Sequence, residues 1–168
     1  LGLVSFFWGT TWLASKKGVE EMPGLQLAGI RQLLGGSVYT IYFLLKGYKF
    51  PNGQQLFQFI WMGILMFVIS NGFTTWSLQY IPSGLGAVIG AMAPIWIAIF
   101  SVIFFRETKL NLTTVIGLLL GFGGIVIIFS DYIEALFNSK FALGVILGII
   151  ATMTWAIGTL YTVKHARD

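Results

Sequence analysis

The chain has 168 residues, 57% of them hydrophobic and only 10% charged, with a formal net charge of +4 and no cysteine. A soluble domain carries roughly a quarter of its residues as charged side chains, so this composition excludes a water-covered globular protein and indicates one embedded in lipid. Without cysteine there are no disulfides, cysteine-ligated zinc or thiol nucleophile, and the Lys and Arg residues form no basic run that would favour a nucleic-acid partner.

Six apolar runs follow one another along the chain. They cover residues 1–15, 25–45, 56–78, 85–105, 112–130 and 141–163, and polar residues, Pro and Gly separate them. A spanning helix needs about 20 mostly apolar residues, whereas the strands of membrane barrels are about 10 residues long with alternating polarity. We therefore predict an all-α integral membrane protein, a multi-helix transmembrane bundle that crosses the lipid bilayer six times.

The basic residues between the runs indicate the orientation of the bundle. With a cytoplasmic N-terminus, the cytoplasmic side carries Lys46, Lys49, Arg106, Lys109, Lys164 and Arg167. The outer side then carries Lys16, Lys17 and Lys140. Because Lys and Arg are enriched on the cytoplasmic side of membrane proteins, this distribution predicts a cytoplasmic N-terminus.

Small residues recur at a spacing of four in three of the predicted helices. These are Gly86, Gly90 and Pro94 in the fourth, Gly117 and Gly121 in the fifth, and Gly144 and Gly148 in the sixth. Faces of this kind let helix backbones approach closely, which predicts a compact bundle and offers surfaces for contacts between copies of the chain. The alternative is that glycine is simply common in membrane helices.

Polar side chains inside the third run are candidates for a binding site, since polar groups are costly in a membrane. Asn71, Thr75 and Gln79 are spaced four apart and therefore share one helix face. They would either line a solute cavity or form hydrogen bonds between helices, and the sequence leaves both interpretations open.

Tryptophans and a proline mark further positions. Trp12 lies near a helix end and fits an interfacial belt. Trp8 and Trp155 lie deeper in the first and sixth runs, where the wall of a pocket and an interfacial belt are both open interpretations. Pro94 removes one backbone hydrogen bond from the fourth helix, which produces either a kink beside a pathway or an ordinary bend.

Arg31 is a charged residue well inside a predicted helix, about six residues or roughly 9 Å from its outer end. The favoured interpretation is that its side chain reaches the outer membrane surface, which relieves the cost of burying the charge. The alternative is that Arg31 attracts an anionic solute.

Nothing in the sequence indicates catalysis. The acidic residues and His165 lie outside the apolar runs, and there is no HExxH, GxSxG or phosphate-binding loop with its lysine. We therefore predict no catalytic residues, no cofactor and no metal site.

A set of motifs, taken in order, resembles the EamA family of the drug/metabolite transporter superfamily. The motifs are Trp8-Gly9-Thr10-Thr11, Ala28-Gly29-Ile30-Arg31, Tyr80-Ile81-Pro82-Ser83-Gly84, Ala93-Pro94-Ile95, Arg106-Glu107 and the Gly-rich run 117–129. The resemblance implies ten helices arranged as two five-helix repeats of opposite orientation. Inverted repeats are a common plan of secondary transporters.

Within that plan, residues 1–134 would form the first repeat and residues 141–168 the start of a second, truncated repeat. The segment Trp155-Ala156-Ile157-Gly158-Thr159 echoes Trp8-Gly9-Thr10 and supports this division. We therefore expect the chain to be a fragment of a longer protein.

The resemblance implies a secondary transporter that moves a small organic metabolite, such as an amino acid, by alternating access. A non-transporting membrane scaffold or sensor is the alternative. We expect a multi-pass protein of the cell membrane, in particular a bacterial inner membrane. The predicted substrate-binding residues are Trp8, Thr11, Asn71, Thr75, Gln79, Pro94 and Trp155, with Arg31 as an anion-binding or structural charge.

Overall fold

A computed structural model of the chain describes residues 2–105 and 111–165. These residues form helices joined by short turns, and no β-strand occurs among them, which confirms the predicted all-α class. In chain order the long helices are α1 (Gly2–Glu21), α2 (Gly24–Leu45), α3 (Gly53–Ser77), α4 (from Ser83 to the stretch Ser101–Phe105), α5 (Leu112–Ser130) and α6 (Ser139–His165). Four residues of the predicted charge distribution or motifs lie outside the described residues, namely Arg106, Glu107, Lys109 and Arg167.

α1 extends to Glu21, beyond the predicted end at residue 15. Its charged end is held by hydrogen bonds: Lys17 Nζ lies 3.1 Å from Glu20 Oε2, and Lys16 Nζ donates to the Leu78 carbonyl oxygen at 2.7 Å. The helix ends just before Pro23, which disfavours a helical conformation in the residue preceding it. The change from apolar to charged residues therefore marks the edge of the apolar layer and not the end of the helix.

α3 is not a uniform α-helix. It consists of an α-helical part, Gly53–Gly63, a π-helical stretch, Ile64–Asn71, and a second α-helical part, Gly72–Ser77. π-helical turns are rare and often occur at functional sites. This stretch ends at Asn71, a residue that the sequence singled out.

α4 is broken in its middle. The parts Ser83–Gly90 and Ala93–Phe100 are separated by a turn at Ala91 and Met92. Because Pro94 has no N–H, the Gly90 carbonyl cannot receive the hydrogen bond that an α-helix would give it. Irregular backbone inside a membrane protein is tolerated where it is buried or lines a cavity.

α6 lies at the centre of the bundle and packs against the last two parts of α3 and both main parts of α4. Its glycines allow a close approach. A Cβ atom at Gly144 would stand 2.8 Å from Tyr80 Cβ, and one at Gly148 would stand 3.1 Å from Ile89 Cγ2. Ser70 Oγ of α3 also donates a 2.7 Å hydrogen bond to the Ala151 carbonyl of α6.

The three predicted glycine faces have different surroundings. Gly86 and Gly90 of α4 lie against the indole of Trp12, and Gly144 and Gly148 lie in the α6 interface just described. At Gly117 and Gly121 of α5, an added Cβ would meet nothing within 4 Å. Two of the three faces are therefore used inside the bundle, and contacts between copies of the chain stay a prediction.

Most large apolar side chains point outward, and the buried core is small. Its centre consists of Ile81, Leu85, Ile89, Met92 and Val145. Four of the described helices are long and apolar enough to cross a membrane, namely Gly53–Ser77, Ser83–Phe104, Leu112–Ser130 and Ser139–Lys164. An apolar exterior of this extent would associate in water, so lipid is the medium that suits this surface.

Candidate functional site

A cavity of about 440 Å³ lies between α1, α2, α3, α4 and α6. Its polar lining consists of Thr11, Ser15, Arg31, Ser70, Asn71, Thr74, Thr75 and Thr152. Its apolar and aromatic lining consists of Trp8, Trp12, Leu78, Gly90, Ala91, Ala93, Pro94, Ile97 and Trp155. Both backbone irregularities reach it, because the π-helical stretch of α3 ends at Asn71 and the break in α4 contributes Ala91. Small-molecule sites are typically cavities of about 300–1,000 Å³ with apolar walls and a few polar groups.

Seven of the eight residues singled out in the sequence line this one cavity. They are Trp8, Thr11, Arg31, Asn71, Thr75, Pro94 and Trp155. They come from five different helices, so it is the packing of the bundle that brings them together. Their role in binding stays a prediction.

Gln79 does not line the cavity, although it follows Asn71 and Thr75 at the same spacing. The last helical residue of α3 is Ser77, and residues 78–80 form a turn, so the helical periodicity no longer applies at Gln79. Gln79 instead borders a separate pocket at the end of the bundle, with Asn138 and Lys140.

Three threonine hydroxyls of the cavity donate their protons to backbone carbonyls. Thr75 Oγ1 donates to the Asn71 carbonyl at 2.9 Å, Thr11 Oγ1 to Phe7 at 2.8 Å, and Thr152 Oγ1 to Ile149 at 2.9 Å. A hydroxyl oxygen that donates its proton still has lone pairs. These threonines therefore offer the cavity acceptors and not donors.

Asn71 and Arg31 are two cavity residues that can donate hydrogen bonds. The Asn71 amide forms no side-chain hydrogen bond with the described residues, and it can both donate and accept. Arg31 Nη1 donates to Ser15 Oγ at 2.6 Å. The guanidinium thus points across to α1, at the last residue of the first apolar run, and both sequence interpretations of Arg31 stay predictions.

Three tryptophans form the aromatic part of the wall. Trp8 is 62% exposed and lies at an open flank, whereas Trp12 and Trp155 are half-buried. The prediction that Trp12 belongs to an interfacial belt does not describe its surroundings. Its ring packs on Gly86 and Gly90, and that contact was not visible in the local sequence.

Sequence reasoning also did not single out Ser70 and Thr152 in the predicted site. Ser70 is 4% and Thr152 7% exposed, and both line the cavity where α3 meets α6. Both are polar residues inside apolar runs, which is the property that identified Asn71 and Thr75 and could have identified these two as well.

Among residues 2–105 and 111–165, no three His, Asp or Glu side chains lie close enough together to hold a metal ion. The described carboxylates, at Glu20, Glu21, Asp131 and Glu134, are all exposed. The cavity therefore has the chemistry of a site that binds a solute through aromatic faces, hydroxyl acceptors, one amide and one guanidinium.

The fold and the cavity together define a helical membrane protein with a cavity between its helices. Residues 1–130 match the EamA-like transporter family, and the chain belongs to that family, as the motifs indicated. No solved structure matches the chain.

Two of the following three curated relatives are named as transporters. The protein named "Uncharacterized inner membrane transporter YedA" of Escherichia coli K12 is 34% identical over 155 residues, which cover 92% of this chain and 49% of YedA. The protein named "Uncharacterized transporter YvbV" of Bacillus subtilis is 30% identical over 98% of this chain and 52% of its own length. Protein PagO of Salmonella typhimurium is 39% identical over 69% of this chain and 38% of its own length. The chain thus spans about half the length of YedA and YvbV.

Proposed function

We propose that this chain belongs to a secondary transporter that moves a small organic metabolite, such as an amino acid, across a bacterial inner membrane by alternating access. The observation that carries the proposal is the convergence of Trp8, Arg31, Asn71 and Trp155 on one cavity of about 440 Å³. A scaffold would need packing faces but no cavity lined with uncommitted polar groups. Membership of a transporter family and the name of YedA point the same way.

The cavity serves in this proposal as part of the solute site. Transporters with inverted repeats bind solute near the middle of the membrane, between the repeats, and discontinuous helices contribute to the site. The broken helix α4 and the π-helical stretch of α3 meet that description, since Pro94 and Asn71 both line the cavity.

The repeat plan is part of the same proposal. Residues 1–134 form a first five-helix repeat, and residues 141–168 contain the first helix of a second, inverted repeat. Two features support the plan: the echoing tryptophans Trp8 and Trp155 line the same cavity, and YedA and YvbV are about twice as long as this chain.

We further propose that α1 and α2 cross the membrane together with the four more apolar helices. They contain 20 and 22 residues, and at a rise of about 1.5 Å per residue each is at least as long as a hydrocarbon layer of about 30 Å. Polar residues, among them Lys17 in α1 and Arg31 in α2, lower their hydropathy. The N-terminus is cytoplasmic in this arrangement.

Transport by the full-length protein in liposomes tests the proposal. The liposomes are incubated with an isotope-labelled bacterial metabolite extract, and the solutes that accumulate inside are identified by mass spectrometry. We expect at least one metabolite to accumulate above protein-free liposomes. Asn71→Leu and Trp155→Ala should abolish this accumulation, because both residues line the cavity.

Trp61→Ala is the matched control, since Trp61 is 46% exposed on the outside of α3 and does not line the cavity. It should leave accumulation unchanged. If the wild-type protein accumulates nothing, the transporter proposal is wrong and the scaffold or sensor alternative takes its place.

A further inference from the structure

We infer that the solute bound in this cavity carries a carboxylate and that Arg31 is the residue that binds it. The inference rests on the proposed function and adds to it the chemical class of the solute. It starts from the direction of one side chain in the structure.

The guanidinium of Arg31 is turned into the bundle. Its Nη1 donates at 2.6 Å to Ser15 Oγ, and Ser15 is only 6% exposed. Arg31 follows the start of α2 at Gly24 by seven residues, or about 10 Å along the helix axis. The guanidinium lies on the cavity wall beside Ser15, the last residue of the first apolar run.

The positive charge of Arg31 has no partner of opposite sign among the described residues. Their carboxylates lie at exposed positions in the loops or near helix ends, and the recorded ion pair joins Lys17 to Glu20. A charge inside a membrane protein is costly unless it is paired or hydrogen-bonded. A single hydrogen bond to a serine hydroxyl occupies one of the five N–H donors of a guanidinium, so the group is left with donors for an anion.

The remaining chemistry of the cavity fits a small organic acid. A planar guanidinium matches the geometry of a carboxylate and can bind both of its oxygens. The hydroxyls of Thr11, Thr75 and Thr152 direct their protons at backbone carbonyls, so they do not compete with Arg31 for the anion. The indoles of Trp8, Trp12 and Trp155 supply apolar faces for the rest of the solute.

A purely structural role makes a different prediction. If Arg31 only tied α2 to α1, removing its partner Ser15 would have the same effect as removing Arg31 itself. Ser15→Ala deletes that hydrogen bond and keeps the guanidinium, so it separates the effect of the bond from the effect of the charge. Arg31→Gln removes the charge, and Arg31→Lys keeps the charge but not the bidentate geometry.

The test uses the liposome assay with the full-length protein and two competitor pairs, leucine with leucinamide and 3-phenylpropionate with 3-phenylpropanamide. In the wild type, the accumulated metabolites should carry carboxylates, and for at least one pair the acid should compete at a concentration about 10-fold or more below that of its amide. Arg31→Gln should remove this preference by weakening the acid about 10- to 100-fold, the range for losing a charged hydrogen bond. Arg31→Lys should keep part of the preference, and Ser15→Ala should reduce it less than Arg31→Gln does, because the guanidinium is still present.

Several results would overturn the inference while leaving transport in place. In the wild type, these results are that every accumulated metabolite lacks a carboxylate, or that no acid competes better than its amide. In the variants, they are that Arg31→Gln still prefers the acid, or that Ser15→Ala loses the preference as fully as Arg31→Gln. Size-exclusion profiles in detergent identify variants that fail to fold, and Arg31→Lys then provides the comparison. Absence of any accumulation would instead refute the proposed function, and the inference with it.

Discussion

The indole of Trp12 on α1 lies directly against Gly90 on α4: a Cβ atom at Gly90 would stand 2.7 Å from Trp12 Cζ2. Gly90 is the last residue before the break in α4, and both residues line the cavity. This contact therefore sets how closely the first helix approaches the broken one.

Gly90→Ala should destabilise the protein, because an indole ring cannot turn aside as a flexible chain end can. Overpacking of this kind costs about 1–3 kcal/mol. Thermal unfolding in detergent, followed by circular dichroism, measures the change. Gly117→Ala is the control, since nothing lies within 4 Å of its added Cβ, and it should leave the unfolding midpoint unchanged or raise it.

The double variant Trp12→Phe/Gly90→Ala should recover part of the loss, because phenylalanine lacks the ring atoms that meet the new methyl group. Residues in contact show coupling energies of about 0.5–3 kcal/mol in such cycles. Purely additive effects would show that the two residues do not interact.

Trp96→Phe should not reduce stability. The indole Nε1 of Trp96 is buried and has no hydrogen-bond partner among the described residues. A buried donor without a partner costs about 1–3 kcal/mol, so removing it offsets the packing lost with the smaller ring. The ring of Trp96 stacks on Phe100 with centroids 5.9 Å apart, and phenylalanine can keep that contact.

Trp76→Phe is the matched variant. Its indole Nε1 donates to Tyr80 Oη at 3.3 Å, so the substitution removes a bond that exists. Unfolding midpoints in the same detergent should rank Trp96→Phe above Trp76→Phe, and the reverse order would contradict the assignment of the unpaired donor.

Pro94→Ala should stabilise α4 and reduce solute flux. The new N–H can bond to the Gly90 carbonyl, a gain of about 1 kcal/mol, and this would draw the turn residue Ala91 away from the cavity wall. The unfolding midpoint and the liposome flux are measured together. Pro82→Ala at the exposed start of α4 is the control, since the N–H groups in the first turn of a helix have no hydrogen bond within the helix that proline could remove. If Pro82→Ala also reduced the flux, the reduced flux of Pro94→Ala could not be attributed to the break in α4.

The membrane orientation can be tested by thiol labelling, because this chain has no cysteine of its own and any cysteine elsewhere in the full-length protein can be replaced. Glu21→Cys and Asn52→Cys place single thiols at exposed positions on opposite sides of the predicted membrane. A membrane-impermeant maleimide added to intact cells should label residue 21, whereas residue 52 should be labelled only after permeabilisation. The opposite pattern would show that the N-terminus is outside.

The helical class of the fold followed from the sequence, since lipid leaves a spanning segment few alternatives to a helix. The breaks inside the helices did not. The π-helical stretch Ile64–Asn71 is mostly apolar and has no local mark of its irregularity. Pro94 marks the break in α4, but the two-residue turn that accompanies it depends on packing against α1 and α6.

The sequence predicted those site residues whose polar or charged side chains are energetically unfavourable in lipid. Arg31 and Asn71 stood out for that reason, and both line the cavity. Trp12 was assigned to a belt because its contacts with Gly86 and Gly90 join distant parts of the chain. Gln79 was included because periodicity alone cannot show that α3 ends at Ser77.

The hydrogen bond from Ser70 to the Ala151 carbonyl joins residues 81 positions apart. During synthesis, a growing chain that has inserted only α1 to α5 has nothing to accept the proton of Ser70 in this way, and Thr152 and Trp155 are not yet present on that flank. This flank of the compartment between the helices therefore forms only after α5 has been inserted, when the ribosome has delivered the helix that begins at Ser139.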